Sequence, residues 1–347
     1  MEDMKVLFEK MRKKMDMVRS VFGEENLAAV PLFEDFPCYP MDRLVELAKM
    51  AAGIEGLDSP EEIRERIGAF RELRLQIASM KTQRTRIKLW PEGKIPALTE
   101  YKDNGAYRYN HNPDFEPYMY EMLIPEDVEP KGAVILCAGG DHGFTVLSEG
   151  YQVAADFNAM GYQCFVLLNR TNRNPWTGME AGVDAARAIR IVRANAEKYR
   201  VREDRIIFAG FSNGGLTGEA CIQYFSGKQR VKDVFADYEE DGLDQVSGSM
   251  DAFLCIYGPR MNHDSFDYER AVYPPVFHAL GLLDFNMDNI NKLYPELVSH
   301  GITVEIHTFS GVPHGQAGSR LLDGYVKYPN FETWETLADQ FIMNNLK

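Results

Sequence analysis

Three unbroken apolar runs of strand length, each followed by a helical pattern, constrain the fold of this chain more than any other feature. They are KGAVILCAGG (131–140), GYQCFVLLNR (161–170) and DRIIFAG (204–210). An unbroken run, as opposed to an alternating one, belongs to a strand buried on both faces. SEGYQVAADFNAMG (148–161) reads as a helix with a serine cap and a glycine stop. GMEAGVDAARAIRIVRANAEKYR (178–200) reads as a long amphipathic helix. Buried strands alternating with helices predict an α/β domain whose mostly parallel sheet is covered on both faces. TRIKLW (85–90) and EPYMYEML (116–123) are expected as strands ahead of this alternation, and DAFLCIYGP, PPVFHAL and TVEIHTF as strands after it.

The first eighty residues have a different texture, all helical. Met4, Leu7, Phe8, Met11, Met15 and Val18 form one apolar stripe. A second helix is expected from Asp42 to Ala52, with Pro31, Pro37 and Pro40 breaking the chain between the two. Ser59-Pro60-Glu61-Glu62 announces a third, with serine as cap, proline at the first helical position and Glu62 closing a capping box. Ile63, Ile67, Phe70 and Ile77 continue its apolar face. The expected division is a helical extension over 1–80 and a larger domain over 81–347. The extension's stripes suit packing against that domain, a lid, or assembly of a homo-oligomer.

The run DRIIFAG leads straight into Gly210-Phe211-Ser212-Asn213-Gly214, and a helix with only small side chains in its first turn follows. A G-x-S-x-G pentapeptide alone is a weak signal. Placed between a buried strand and a helix, it matches the tight turn that lifts a nucleophilic serine clear of a sheet edge. The helix start then aims backbone N–H groups at a developing oxyanion.

A serine hydroxyl needs a base, and in this order of elements an acid and then a histidine follow the nucleophile. His314, in the glycine- and proline-rich loop FSGVPHGQAG after TVEIHTF, is the expected base. His307 and His278 lie inside strands, and His263 in GPRMNHDS is the competitor. Asp284, just after PPVFHAL, is the expected orienting acid. Asp288 one turn later and Asp251 at the head of DAFLCIYGP are alternatives. Oxyanion donors are expected from the backbone of Asn213 and from Gly139, Gly140 and Asp141 in VILCAGGDHGF. His142, Asn172, Trp176, Asn262 and His263 are expected around the mouth of the site, with His142, Trp176 and His263 as substrate-binding candidates.

A net charge of −14 opposes phosphate backbones, so neither nucleic acid nor an anionic membrane is an expected partner. No window approaches the eighteen apolar residues of a transmembrane helix, and the charged N-terminus lacks the apolar core of a signal peptide. Cys38, Cys137, Cys164, Cys221 and Cys255 are odd in number, scattered and mostly in apolar settings. That pattern fits reduced thiols in a cytoplasmic protein. Neither a P-loop nor G-x-G-x-x-G spacing is present, and no metal or organic cofactor is expected.

The chain resembles the α/β-hydrolase superfamily, and within it the acetyl xylan esterases and related carbohydrate-esterase-like carboxylesterases. The resemblance runs from about Ile87 to Phe341. It is carried by IKLWPEGKIPA, the CAGG loop, the arginine-rich helix leading to DRIIFAGFSNGG, the segment Gly281-Leu-Leu-Asp284, and VPHG. It implies Ser212 as nucleophile, His314 as base, Asp284 as orienting acid, and oxyanion donors at Asn213 and at Gly140 or Asp141. The implied activity is hydrolysis of a small carboxylic ester, with a short acyl group on a sugar or other polar alcohol as the substrate class. Asp141-His142 replaces the family's glycine and aromatic, Asn213 stands where alanine is usual, and the helical extension lies outside the shared motifs. A peptidase or aminoacyl-ester hydrolase, a lactone-ring hydrolase, and a non-catalytic scaffold of the same fold remain open as alternatives.

Overall fold

The computed structural model describes residues 38–40, 42–44, 46–47, 50, 53, 59–98, 115–140, 146, 148–171, 178–258, 266–318 and 328–346. The expected helix over 4–18 lies outside the described residues, as do Asp141, His142, Asn172, Trp176, Asn262 and His263. The chain divides into two compact units between Arg84 and Thr85.

In the first unit, the described residues between 42 and 53 are helical, and a second helix, α1, spans Pro60–Ser79. The Ser59 hydroxyl accepts from the Glu62 amide at 3.4 Å, with Pro60 opening the helix. The hydroxyl donates to the Glu61 carboxylate at 3.3 Å, a side-chain contact and not the return bond to the Ser59 amide that a capping box requires. The serine cap therefore forms while Glu62 does not close the box. Ile63, Ile67, Phe70, Leu73 and Ile77 are buried, the face that their spacing of three and four requires.

The second unit is built on an eight-stranded sheet among the described residues. Its strands are β1 (Arg86–Lys88), β2 (Tyr118–Met122), β3 (Ala133–Cys137), β4 (Gln163–Leu168), β5 (Ile206–Phe211), β6 (Ala252–Ile256), β7 (Val276–Gly281) and β8 (Val304–Phe309). Their order across the sheet is β1-β2-β4-β3-β5-β6-β7-β8. The pairs β1–β2 and β2–β4 are antiparallel, and every pair from β4 to β8 is parallel. Strands β2 to β7 are buried along their whole length, whereas β8 at the edge is partly exposed. The unbroken apolar runs therefore mark central strands, as covering on both faces demands.

Helices α2 (Val153–Ala159), α3 (Met179–Ala194), α4 (Asn213–Phe225), α5 (Met287–Ser299) and α6 (Trp334–Asn345) connect or follow the strands. The segment expected to begin as a serine-capped helix at 148 begins instead as a π-helical turn over Ser148–Gln152. Helix α2 starts after Gln152 with no side-chain cap.

Along α3, Arg187, Arg190 and Arg193 are buried and directed to fixed partners. Arg187 donates to the Leu89 carbonyl and pairs with Asp241, and Arg193 pairs with Asp251. Asp184, one turn earlier, accepts from Nε and Nη2 of Arg170 at 2.9 and 2.7 Å and from the Trp90 indole at 2.9 Å. This buried pair ties the end of β4 to α3 and to the segment following β1. Among the described residues, no helix is long and apolar enough to cross a membrane.

Parallel strands bring all their carboxyl ends to one edge of the sheet. Gly139, Ser212, Tyr257, Asp284 and His314 follow the ends of β3, β5, β6, β7 and β8 respectively. In open α/β sheets, that edge is where ligands bind.

Candidate active site

Strand β5 and helix α4 meet at Ser212, whose backbone adopts φ +51° and ψ −119°. A non-glycine residue rarely holds such angles, and here the surroundings enforce them. The Ser212 amide donates to the Ile256 carbonyl at 3.0 Å, and its carbonyl accepts from Gly215 at 2.9 Å. A Cβ on Gly214 would stand 2.0 Å from the Cys137 carbonyl, and one on Gly210 would stand 2.4 Å from the Gly214 carbonyl. The glycines on either side of the serine are thus a steric requirement of the turn.

The hydroxyl raised by this turn meets the imidazole expected of it. Ser212 Oγ lies 2.9 Å from His314 Nε2, and His314 Nδ1 lies 2.9 Å from Asp284 Oδ2. An ionised carboxylate only accepts, so Nδ1–H donates to Asp284 and Nε2 is left to accept from the serine. The Asp284 side chain is fully buried, and its other oxygen accepts from the Asn286 amide at 2.8 Å. The imidazole has the Tyr257 ring at 4.9 Å edge-on and the Phe285 ring at 4.3 Å. Both rings restrict its rotation.

The alternatives occupy other places. His307 hydrogen-bonds Glu305 within β8, and His278 is buried inside β7. Asp288 is exposed in the first turn of α5. Asp251 accepts from the Ile206 amide and pairs with Arg193. Since Ile207 is opposite Ala252 and Phe211 opposite Ile256, Asp251 marks the amino end of the sheet, far from Ser212. Burial lifts the Asp251 carboxyl above its usual range, with Arg193 opposing the shift.

Asn213 begins α4, so its amide is among those at a helix start with no partner inside the helix. Opposite it, the chain after β3 passes so close that a Cβ on Gly139 would be 2.8 Å from the Ser212 Cβ. Gly140 follows with φ +140°. Asp141 and the rim candidates His142, Trp176 and His263 lie outside the described residues.

Two residues of the site went unread in the sequence. The Glu149 carboxylate is buried behind Gly139 and accepts from its amide at 2.6 Å. It also accepts from the Tyr257 hydroxyl at 2.6 Å. Burial pushes the Glu149 carboxyl up to about 7, against the pull of those two donors and of His314. Tyr257 could have been flagged by its place directly after β6 at the ligand-binding edge. Glu149 offered no local signal beyond an acidic residue at the start of an expected helix.

The cysteines are free and buried. Burial drives the thiols of Cys137 and Cys221 up to about 12, and those of Cys164 and Cys255 well above their usual range, so none of these four is a nucleophile at neutral pH. Among the described residues, no group of three or more His, Cys, Asp or Glu side chains is placed to hold a metal ion.

No family model matches the chain. It is 25% identical over 169 residues to endo-1,4-beta-xylanase B of Butyrivibrio fibrisolvens, a match spanning 47% of this chain and a quarter of the length of that relative. Among solved structures it is similar to the acetyl ester-xyloside bifunctional hydrolase of Caldicellulosiruptor lactoaceticus, at 21% identity and TM-score 0.59, over 75% of this chain and 96% of that one. An α/β hydrolase enzyme from a Medee basin deep-sea metagenome library superimposes at 17% identity and TM-score 0.54, over 76% of this chain and 98% of that one. A thermophilic esterase of Thermogutta terrifontis with bound propionate gives 19% identity and TM-score 0.52, over 73% of this chain and 96% of that one. The same esterase has been solved phosphorylated by paraoxon. With this sheet order, this strand–serine–helix turn and these structural neighbours, the second unit of the chain has the α/β-hydrolase fold.

Proposed function

We propose that the chain is a serine carboxylic ester hydrolase in which Ser212 is the nucleophile, His314 the general base and Asp284 the acid that orients it. The observation that carries this reading is the hydrogen-bonded series Ser212 Oγ, His314 Nε2, His314 Nδ1 and Asp284 Oδ2, with both contacts at 2.9 Å. Nucleophile, base and orienting group within hydrogen-bond reach are the signature of covalent acyl transfer.

As Ser212 Oγ attacks the acyl carbon, its proton passes to His314 Nε2, and the carbonyl π electrons move onto the carbonyl oxygen. The buried Asp284 carboxylate stabilises the imidazolium that forms. The oxyanion is taken up in this reading by the Asn213 amide, with a backbone N–H of Gly140 or Asp141 as the second donor. Collapse expels the alcohol, which receives the proton from His314. Water then repeats the sequence on the acyl-enzyme and releases the acid. No cofactor enters any step.

The substrate class in this reading is a short acyl group on a sugar or another polar alcohol. It is supported by the likeness to a hydrolase of acetyl esters and xylosides and by the partial match to a xylanase. Hydrolysis of p-nitrophenyl esters of graded acyl length and of acetylated oligosaccharides, beside aminoacyl-p-nitroanilides, tests it. The expected result is acetyl ester turnover that paraoxon abolishes in wild type and that Ser212→Ala lacks. Turnover of anilides alone would assign a peptidase, and absence of all turnover and of paraoxon adduct would leave a scaffold.

A further inference from the structure

A second buried carboxylate near the proposed site belongs to none of the three residues assigned to the chemistry. Glu149 is 2% exposed and sits in the π-helical turn after the Gly139–Gly140 loop. A carboxylate out of water is costly unless donors compensate it. Glu149 has two, one on each oxygen: the Gly139 amide on Oε2 and the Tyr257 hydroxyl on Oε1, both at 2.6 Å.

Tyr257 carries the connection onward. It follows β6 with φ +38°, a strained angle for a tyrosine. Its hydroxyl accepts from the Ala317 amide at 3.2 Å, three residues beyond His314. Its ring edges the His314 imidazole at 4.9 Å. Its carbonyl accepts from the Asn286 side chain at 2.9 Å, and the Asn286 amide in turn donates to Asp284. One buried carboxylate and one tyrosine therefore join the loops that follow β3, β6, β7 and β8.

We propose that Glu149 is a positioning residue: its carboxylate ties the Gly139–Gly140 turn to Tyr257 and so holds the oxyanion side of the site in register with the loop that carries His314. The role rests on the hydrolase reading given above. Glutamate suits it better than glutamine. Once ionised, as it is above about pH 7, the carboxylate accepts on both oxygens, whereas an amide at any pH accepts on one and presents a donor at the other, facing a donor already there. The ionisable groups acting on Glu149 are Tyr257 and His314. The bond from the Gly139 amide aims the peptide beside Ser212, where misplacement of the donors would weaken them selectively in the transition state.

The test uses the full chain and the variants Glu149→Gln, Tyr257→Phe and their double, with p-nitrophenyl acetate as substrate. Amide hydrogen exchange is followed in the segments holding Gly139 and Ala317. Glu149→Gln is expected to lower kcat by about 10- to 100-fold, with KM within about twofold, the split that marks loss of transition-state positioning. Tyr257→Phe, which keeps the ring, is expected to give a smaller loss of the same kind, and the double variant less than the product of the two. Exchange in both segments is expected to quicken together in either single variant. Fluorophosphonate labelling of wild type runs alongside. Wild type that neither labels nor turns over ends the hydrolase reading, and this role with it. Wild type that does both, while Glu149→Gln keeps its kcat or quickens only the Gly139 segment, overturns the role of Glu149 alone.

Discussion

The carbonyl oxygen of Val312 occupies the space that a side chain on Gly281 would need: a Cβ there would lie 1.9 Å from it. The same carbonyl accepts from the Leu283 amide at 3.0 Å. The turn that ends β7 is thereby locked to the loop that follows β8, and these are the segments bearing Asp284 and His314. The contact lies three residues before Asp284 and two before His314.

Gly281→Ala should push the two loops apart. The added methyl meets backbone, which cannot swing aside as a flexible side chain would. A loss of about 1–3 kcal/mol in stability is expected from overpacking. A fall in kcat on the order of 100-fold is expected from displacement of the imidazole. Denaturant titration and steady-state kinetics on the same preparation measure both. Unchanged kcat would show that the Gly281–Val312 contact does not set the geometry of His314.

Asp284 and Asp288 stand four residues apart and differ in every physical respect. The side chain of one is fully buried and bonded to His314, while the other is exposed on α5. Asp284→Asn should cut kcat by on the order of 10⁴, because an amide can donate to Nδ1 and select the wrong tautomer. Asp288→Asn should change kcat by less than about twofold. A larger effect at Asp288 would reassign the orienting acid.

Asp184 is fully buried between Arg170 and Trp90. Asp184→Ala would leave a buried guanidinium without its carboxylate and an indole N–H without its acceptor. The expected cost is about 3–5 kcal/mol, read from urea unfolding of the isolated variant. A loss below about 1 kcal/mol would mean that the pair is dispensable for folding.

The Glu149 carboxyl gives a pH-dependent signature of its own. Its value is raised in the folded chain to about 7, so the folded state binds the proton more tightly than the unfolded state. The stability tied to that proton is fully present below the unfolded value near 4.5 and is lost as pH rises through about 7. Glu149→Gln has no such proton to lose. Relative to the variant, wild type should therefore weaken between pH 5 and pH 8, by on the order of 3 kcal/mol. Paired denaturant titrations at the two pH values measure the difference, and a constant gap would mean that Glu149 does not titrate in this window.

What could be read from the sequence was local. The runs AVILC, CFVLL and IIFAGF mark central strands because burial on both faces selects apolar side chains. Gln163 at the head of β4 is admitted with its side-chain amide bonded to Ile124 and Tyr199. Ser212 was legible because a strand, a tight turn and a helix are contiguous, and His314 and Asp284 because each follows a strand in the loop that must reach the sheet edge. The residues missed are those defined by distant partners. Glu149 and Tyr257 are 108 residues apart, and neither carries a local pattern that announces the other. The segment at 148 differs from its serine-capped expectation in the same way: it opens as a π-helical turn, and within that turn Glu149 accepts from the distant Gly139 amide.

The central claim is tested most directly by trapping the intermediate. Rapid mixing of the full chain with p-nitrophenyl acetate, quenched in acid and digested for mass spectrometry, should show a burst of p-nitrophenol. It should also show one acetyl group on the peptide containing Ser212, with both signals absent in Ser212→Ala. An acetyl group on another residue, or a burst that survives in Ser212→Ala, would contradict the account.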